Sequence, residues 1–229
     1  MDDYRQYCPV AKAHEILGDR WTMLIVRELV GGRATFSDIA RGLPGISRSL
    51  LTDRLRRLEA KGVLSRVGEK PSRCRYELTP AGEDLKSVVN AFGKWGAQWA
   101  FGPPRDCELD PGLLLWRMRC RLNPTALPKR RVVIQFDFRM GQKGLFWFVI
   151  EDGAASVCVT DPGLDIDLFV AAELSSLYQV WLGRKSLASM RRSQSIVLEG
   201  APSLERAFDG WFLRSPMSGY VEQAMLSSG

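Results

Sequence analysis

The stretch GISRSLLTDRLRRLEAKGVLSRVGEKPSRCRYELTP, from Gly45 to Pro80, constrains the fold more than any other part of the chain. Ser47 opens it as a helix cap, since its hydroxyl can accept a hydrogen bond from a first-turn amide. Leu51, Leu55 and Leu58 recur at spacings of four and three, which sets one apolar stripe along one helical face. Lys61 and Gly62 end that helix. Val63 to Val67 alternates and predicts a strand, and Arg75 to Leu78 predicts a second. Gly68, Glu69, Lys70, Pro71, Ser72 and Arg73 form the turn between them. Thr79 with Pro80 is a cap followed by proline at the first helical position, so a further helix begins there. Between Arg41 and Arg75 stand ten Lys/Arg against three Asp/Glu, a local excess of seven positive charges.

The residues before this stretch predict three more helices, the first a short one over Pro9–Leu17 that Gly18 and Asp19 break. From Arg20 to Val30, Trp21, Leu24, Ile25 and Leu29 fall near one face, with Arg20, Arg27 and Glu28 towards solvent. Gly31 and Gly32 stop it. Thr35 caps the next short helix, and Asp38 three residues on makes a near match to a capping box. Phe36, Ile39, Ala40 and Leu43 are its core face, and Gly42, Pro44 and Gly45 form the turn. The helix after Thr79 runs to about Trp99 and carries Leu85, Val88, Val89, Phe92, Trp95 and Trp99. That apolar stripe is wider than one small domain covers, which leaves a face for a partner.

At 229 residues the chain is long enough for two domains. Its charge is uneven: residues 1–102 carry 17 Lys/Arg and 12 Asp/Glu, residues 103–229 carry 15 and 14. A polyanionic partner is therefore expected for the first part. The segment GPPRDCELDPG, Gly102 to Gly112, is the linker candidate by its proline and glycine density. Beyond it the pattern is α+β. A helix is expected over Leu113–Leu122, then strands in RRVVIQFDFRM, GLFWFVIED, SVCVTD and LDIDLFVAA. Helical runs at 174–182, 186–190 and 203–212 follow, with strand-like QSIVLEG between the last two.

Several chemistries find no support. Cys8, Cys74, Cys107, Cys120 and Cys158 are odd in number, widely spaced and form no CxxC pair, and His14 is the only histidine. Neither a disulfide framework nor a zinc site is expected, and a reducing cytoplasm is the natural setting. The start MDDYRQYCPVAK is acidic and lacks the apolar run of a signal peptide, and no apolar run approaches a membrane span. There is no nucleophile motif and no phosphate-cradling glycine loop. Asp165 and Asp167 alternate along a predicted strand and read as solvent-facing. No catalytic residue, metal or cofactor is assigned.

A helix fits the major groove, and polar groups on its outer face reach base edges. Ser47, Arg48, Ser49, Thr52, Asp53 and Arg56 are placed there, with Arg48 able to offer guanine a paired hydrogen bond. Lys70, Arg73 and Arg75 on the hairpin would contact phosphates or the adjacent minor groove. RRLEAK alone fits any solvated helix face. The order helix, turn, helix, hairpin, capped helix arises much less readily by chance, and it points to a winged helix-turn-helix on duplex DNA.

From Cys8 to Val67, and on through YELTPAGEDL to KWG, the chain resembles the HxlR family of bacterial winged-helix regulators. CPVA, GDRWT, LPGIS, LTDRLRRLE and YELTPAG carry the likeness. The resemblance implies a cytoplasmic homodimer whose terminal helices pack across a two-fold axis and which acts on paired half-sites, so an inverted-repeat operator is expected, with repression the expected direction. It also implies that Cys8, just before the first helix, is a candidate sensor of oxidants or electrophiles; a small buried apolar role is the other reading. The family's common length departs from this chain, which continues for more than a hundred residues.

That second part, roughly Pro128 to Met217, is similar to sterol-carrier-protein type domains, small α+β folds with an apolar tunnel. WLGR, the SIVLEG strand and the aromatic-rich last helix carry this likeness. Phe136, Phe146, Phe148, Trp181, Trp211 and Phe212 are the candidate lining of a pocket for a hydrophobic small molecule; filling a core is the alternative. The expected organisation is a DNA-binding and dimerisation domain over 1–102, a linker over 103–112 and an α+β ligand-sensing domain over 113–229. The rival function is a carrier of lipid or hydrophobic metabolites that uses its winged helix for protein contacts.

Overall fold

A computed structural model describes residues 4–68, 74–138 and 144–227. Two compact units emerge, residues 1–93 and 94–229. The division falls inside a long helix rather than in the proline-rich segment after it.

The first unit opens with α1 (Pro9–Leu17), α2 (Thr22–Val30), α3 (Phe36–Gly42) and α4 (Arg48–Ala60). Two antiparallel strands follow, β1 (Leu64–Val67) and β2 (Arg75–Leu78), paired from Leu64↔Leu78 to Val67↔Arg75. The backbone of residues 34–35 joins β2, with Tyr76 N donating to Ala34 O at 2.7 Å. α5 (Pro80–Trp99) comes next. The caps are those the residues predict. Thr35 Oγ1 accepts from Asp38 N at 3.1 Å and Ser47 Oγ from Leu50 N at 3.2 Å. Thr79 Oγ1 accepts from Gly82 N at 3.3 Å and donates to Gly62 O at 2.6 Å, which ties the start of α5 to the end of α4.

Ile25, Val26, Ile39, Leu43, Leu51, Leu55, Leu58 and Leu64 are buried and form the centre of this unit. α2 departs from its predicted facing. Glu28 is only 3% exposed, while Leu24 is 40% exposed. The reason is electrostatic. Arg27 Nε donates to Glu28 at 3.0 Å and Arg33 lies 3.6 Å away, so the buried carboxylate keeps two cationic partners. Gly82 lies against the end of β1, where a Cβ would stand 2.1 Å from the carbonyl oxygen of Val63.

In the second unit α6 (Pro111–Arg119) precedes a five-stranded sheet of β3 (Val132–Phe138), β4 (Gly144–Glu151), β5 (Ala154–Cys158), β6 (Leu168–Ala172) and β7 (Ile196–Gly200). Its order is β5-β4-β3-β6-β7, with β3 and β6 parallel and the other neighbours antiparallel. Between β6 and β7 run α7 (Leu174–Trp181) and α8 (Leu187–Arg192), and α9 (Pro202–Ala207) and α10 (Ser218–Ser227) close the chain. α10 is an element the periodicity does not predict. Residues 159–167, of which 159–161 and 164–167 are expected as strand, instead connect β5 to β6. Leu164 in this connection packs on Val133, Trp147 and Val149. The other face carries Ile134, Phe136, Phe148, Val170 and Ile196 into a core shared with Leu114, Leu177, Phe208 and Trp211. Burial on both faces explains why β3 reads VVIQFDF with scarcely a polar alternation. Asp167 is not a free solvent carboxylate. It accepts from Arg130 at 2.7 Å and from Val133 N at 2.9 Å.

α7 is held to α6 by the Tyr178 hydroxyl, which donates to Asp110 O at 3.0 Å while the Asp110 side chain caps α6. Burial pushes the Tyr178 phenol above its ordinary value. A raised phenol pKa means the folded state favours the protonated form. Its stabilising share is complete below about pH 10 and is lost as pH rises through the folded value. Tyrosinate absorbance is expected to show a late-titrating component that Tyr178→Phe removes. In the first unit, Gly82→Ala is expected to force α5 off β1 at a cost of about 1–3 kcal/mol, read as a lower circular-dichroism melting temperature.

Candidate nucleic-acid interface

The chemistry of α4 is decided by which of its sides the leucines take. Leu51, Leu55 and Leu58 are at most 1% exposed, so the helix has one fixed rotation against the unit's core. Ser47, Arg48, Ser49, Asp53 and Arg56 are exposed, and Thr52 is half-buried. The structure therefore brings five of the six predicted helix residues onto open surface and leaves Thr52 at its margin. Two hydroxyls already have backbone duties. Ser47 caps the helix, and Thr52 Oγ1 donates to Arg48 O at 2.9 Å. The Arg48 guanidinium stands 4.9 Å from the centre of the Phe36 ring, a cation–π contact that leads its stem across α3.

On the hairpin, Arg75 is exposed and pairs in register with Val67. Lys70 and Arg73 lie outside the described residues. Tyr76, next to Arg75, is half-buried, and burial, followed by the charge of Cys74, raises its phenol above the ordinary value. It therefore stays neutral and able to donate a hydrogen bond at neutral pH.

The remaining arginines of α4 take another direction. Arg57 pairs with Asp19 and donates through its second nitrogen to Glu15 O at 2.5 Å. Arg54 approaches the same Asp19 carboxylate at 3.5 Å and the carbonyl of Arg20 at 3.4 Å. Sequence reasoning missed this network, because partners 35 and 38 positions apart leave no local signal.

The HxlR-like helix-turn-helix family model matches residues 16–102. YvaP of Bacillus subtilis (strain 168), described as an uncharacterized HTH-type transcriptional regulator, is 39% identical over 97 residues, which are 41% of this chain and 90% of YvaP. The chain belongs to the HxlR-like family. A second relative, the uncharacterized HTH-type transcriptional regulator sll1512 of Synechocystis, is 35% identical over 107 residues, 46% of this chain and 79% of that protein. Among solved structures, the reduced form of the B. subtilis transcriptional regulator YodB is 31% identical, covering 42% of this chain and 96% of its own, with a TM-score of 0.35. The HxlR-like match ends at residue 102, so most of the second unit lies beyond it.

In that unit the six predicted pocket residues separate. Phe136, Phe148 and Trp211 are at most 1% exposed and sit within the aromatic core, with Phe136 and Phe148 ring centres 6.3 Å apart. Phe146 packs on Phe138 at 5.8 Å. Trp181 and Phe212 line a small cavity of about 30 Å³, together with Met118, Leu177, Val180, Leu187 and Phe208 and, among charged residues, Asp209 and Arg214. Arg214 is paired there with Glu222 at 2.6 Å. Cys8 occupies the cap position of α1, half-buried, and its side chain makes no capping hydrogen bond. His14 Nδ1 lies 2.7 Å from the Tyr4 hydroxyl, a partner ten residues away. No group of metal-ligating side chains stands together among the described residues, and none of the described helices is long and apolar enough to cross a membrane.

Proposed function

We propose that this HxlR-like protein is a sequence-specific DNA-binding transcription regulator that acts in the cytoplasm as a homodimer on an inverted-repeat operator, with repression its expected action. The observation that carries this reading is the outward face of α4, where Ser49, Asp53 and Arg56 stand exposed opposite a fully buried leucine stripe and Arg48 is exposed at the flank. The descriptions of YvaP and sll1512 as transcriptional regulators support it. Arg48 and Arg56 would read base edges, and Arg75 with Lys70 and Arg73 would grip phosphate.

A second copy is the natural cover for α5. Phe92, Trp95 and Trp99 recur at spacings of three and four and are 65%, 64% and 72% exposed. Three large aromatic side chains in one exposed row favour association over solvation. A two-fold dimer would set two recognition helices on successive major grooves, about 34 Å apart. The second unit, read as a sterol-carrier-type domain, would tune this dimer by taking up a hydrophobic molecule at Trp181 and Phe212. Its order of strands and helices supports that reading. The cavity as it stands holds about 30 Å³, so an entering molecule must displace Phe212 or a neighbour.

Binding of the full chain to its operator is expected to fall steeply with salt, because each neutralised phosphate releases counterions. Arg48→Ala or Arg56→Ala is expected to cost about 1–3 kcal/mol if that side chain reads a base, and to relax the preference at one position of each half-site. A gel-shift series with no sequence preference at moderate salt would remove the reading. For the effector, a screen of apolar compounds should find one that both raises the melting temperature and changes operator affinity. A compound that binds without altering DNA affinity would instead favour a carrier role.

A further inference from the structure

The GDRWT segment, residues 18–22, leads into the first residue of α2 yet holds α4 along one side. At about 100° per residue, Arg54 and Arg57 leave α4 on the flank opposite Arg48 and Thr52. Asp19 gathers both of them: Arg57 pairs with its carboxylate, and Arg54 stands 3.5 Å from the same oxygen. The Arg20 carbonyl accepts from Arg54 Nε at 3.4 Å. Trp21 then adopts a left-handed backbone, φ 79°, a conformation a bulky side chain takes only where its surroundings demand it. Its ring lies against Gly45, where a Cβ would come 3.9 Å from the indole. Gly45 itself has φ 93° and turns the chain into α4.

Two consequences follow from these contacts. The turn braces α4, in the rotation its buried leucines set, by a carboxylate and a carbonyl at its flank and a ring at its entrance. It also withholds two cations. Arg54 and Arg57 are 22% and 31% exposed, so they sit at the border of the open face rather than in the core. Phosphate contacts add affinity that carries no sequence information. Two more free arginines beside Arg56 would therefore raise binding to every sequence alike.

We propose that Asp19 is a specificity-determining positioning residue, which keeps Arg54 and Arg57 off the phosphate backbone and holds α4 at the angle where its outer face reads bases. This rests on the DNA-binding reading above. Asp19 touches no base in this scheme and acts only through the two arginines.

The test uses the full-length protein, a fixed mixed-sequence duplex titrated over salt, and enrichment from a random-sequence duplex pool. With Asp19→Asn, the slope of log affinity against log salt on the mixed-sequence duplex is expected to steepen by about 0.9 for each arginine released. Enrichment of the preferred sequence should fall about tenfold, the scale of one lost base-pair preference. Asp19→Glu, which keeps the charge, should retain the wild-type slope. Adding Arg54→Gln and Arg57→Gln to Asp19→Asn should return the slope to wild type while enrichment stays low. An Asp19→Asn protein with wild-type slope and enrichment overturns the inference, even if it melts earlier. Should that variant not fold, Arg54→Gln/Arg57→Gln carries the test. Loss of enrichment without a steeper slope is then expected, and undiminished enrichment overturns it. If the wild-type protein enriches no sequence, the interface reading itself fails and takes this inference with it. If the wild type enriches and the variants match it, only the inference fails.

Discussion

Burial of Leu51, Leu55 and Leu58 governs the first unit, because it sets the rotation of the helix whose outer side carries the candidate base-reading residues. Each fully buried leucine contributes about 1.5–3 kcal/mol relative to exposure, so a rotated α4 would sacrifice several of these at once. Once that stripe is seated, helical geometry places Ser49 and Asp53 outward with no further choice. Flank positions are different. Arg48 is drawn over Phe36, and Arg54 and Arg57 are drawn to Asp19, each by a contact from another element. The electrostatic character of the surface thus depends on which cations the rest of the unit claims, and a simple count of Lys and Arg overstates how many are free.

The same unit illustrates how polar contacts become structural when they are buried. Glu28 lies beneath the surface because Arg27 and Arg33 travel with it. Thr79 joins the end of α4 to the start of α5, and Gly82 lets α5 lie close against the Val63 carbonyl beside β1. The second unit rests on apolar closure instead. Its central strand β3 is covered on both sides, by helices on one and by the connection through Leu164 on the other. Most of its aromatic residues are consumed by that closure, and a ligand would have to compete with it at Trp181 and Phe212.

Much was legible along the chain because it depends on neighbours within a turn or two. The leucine spacing of α4, the caps at Thr35, Ser47 and Thr79, and the strands β1 to β4 all follow from local periodicity and local hydrogen bonding. Motifs such as GDRWT and YELTPAG point to the family, which the match to YvaP establishes. Where the reading slipped, a distant group intervened. Leu24 and Glu28 share one side of α2, and periodicity favours the leucine inside; the pairing of Glu28 with Arg27 and Arg33 accompanies the reverse order. α10 was missed because its apolar residues follow no clear helical face, and Val221 and Ala224 are the two it buries.

By itself, then, the sequence determined most of the segments that become helix or strand, the inward leucine stripe of α4 and where positive charge accumulates, since each is settled by contacts a few residues apart. The tertiary structure alone decided that Asp19 would claim Arg54 and Arg57, that Phe136 and Phe148 would fill a core, and that Trp181 and Phe212 would border a cavity. Those outcomes join residues tens of positions apart, and only the folded chain brings such partners within the few ångströms over which ion pairs and side-chain packing act.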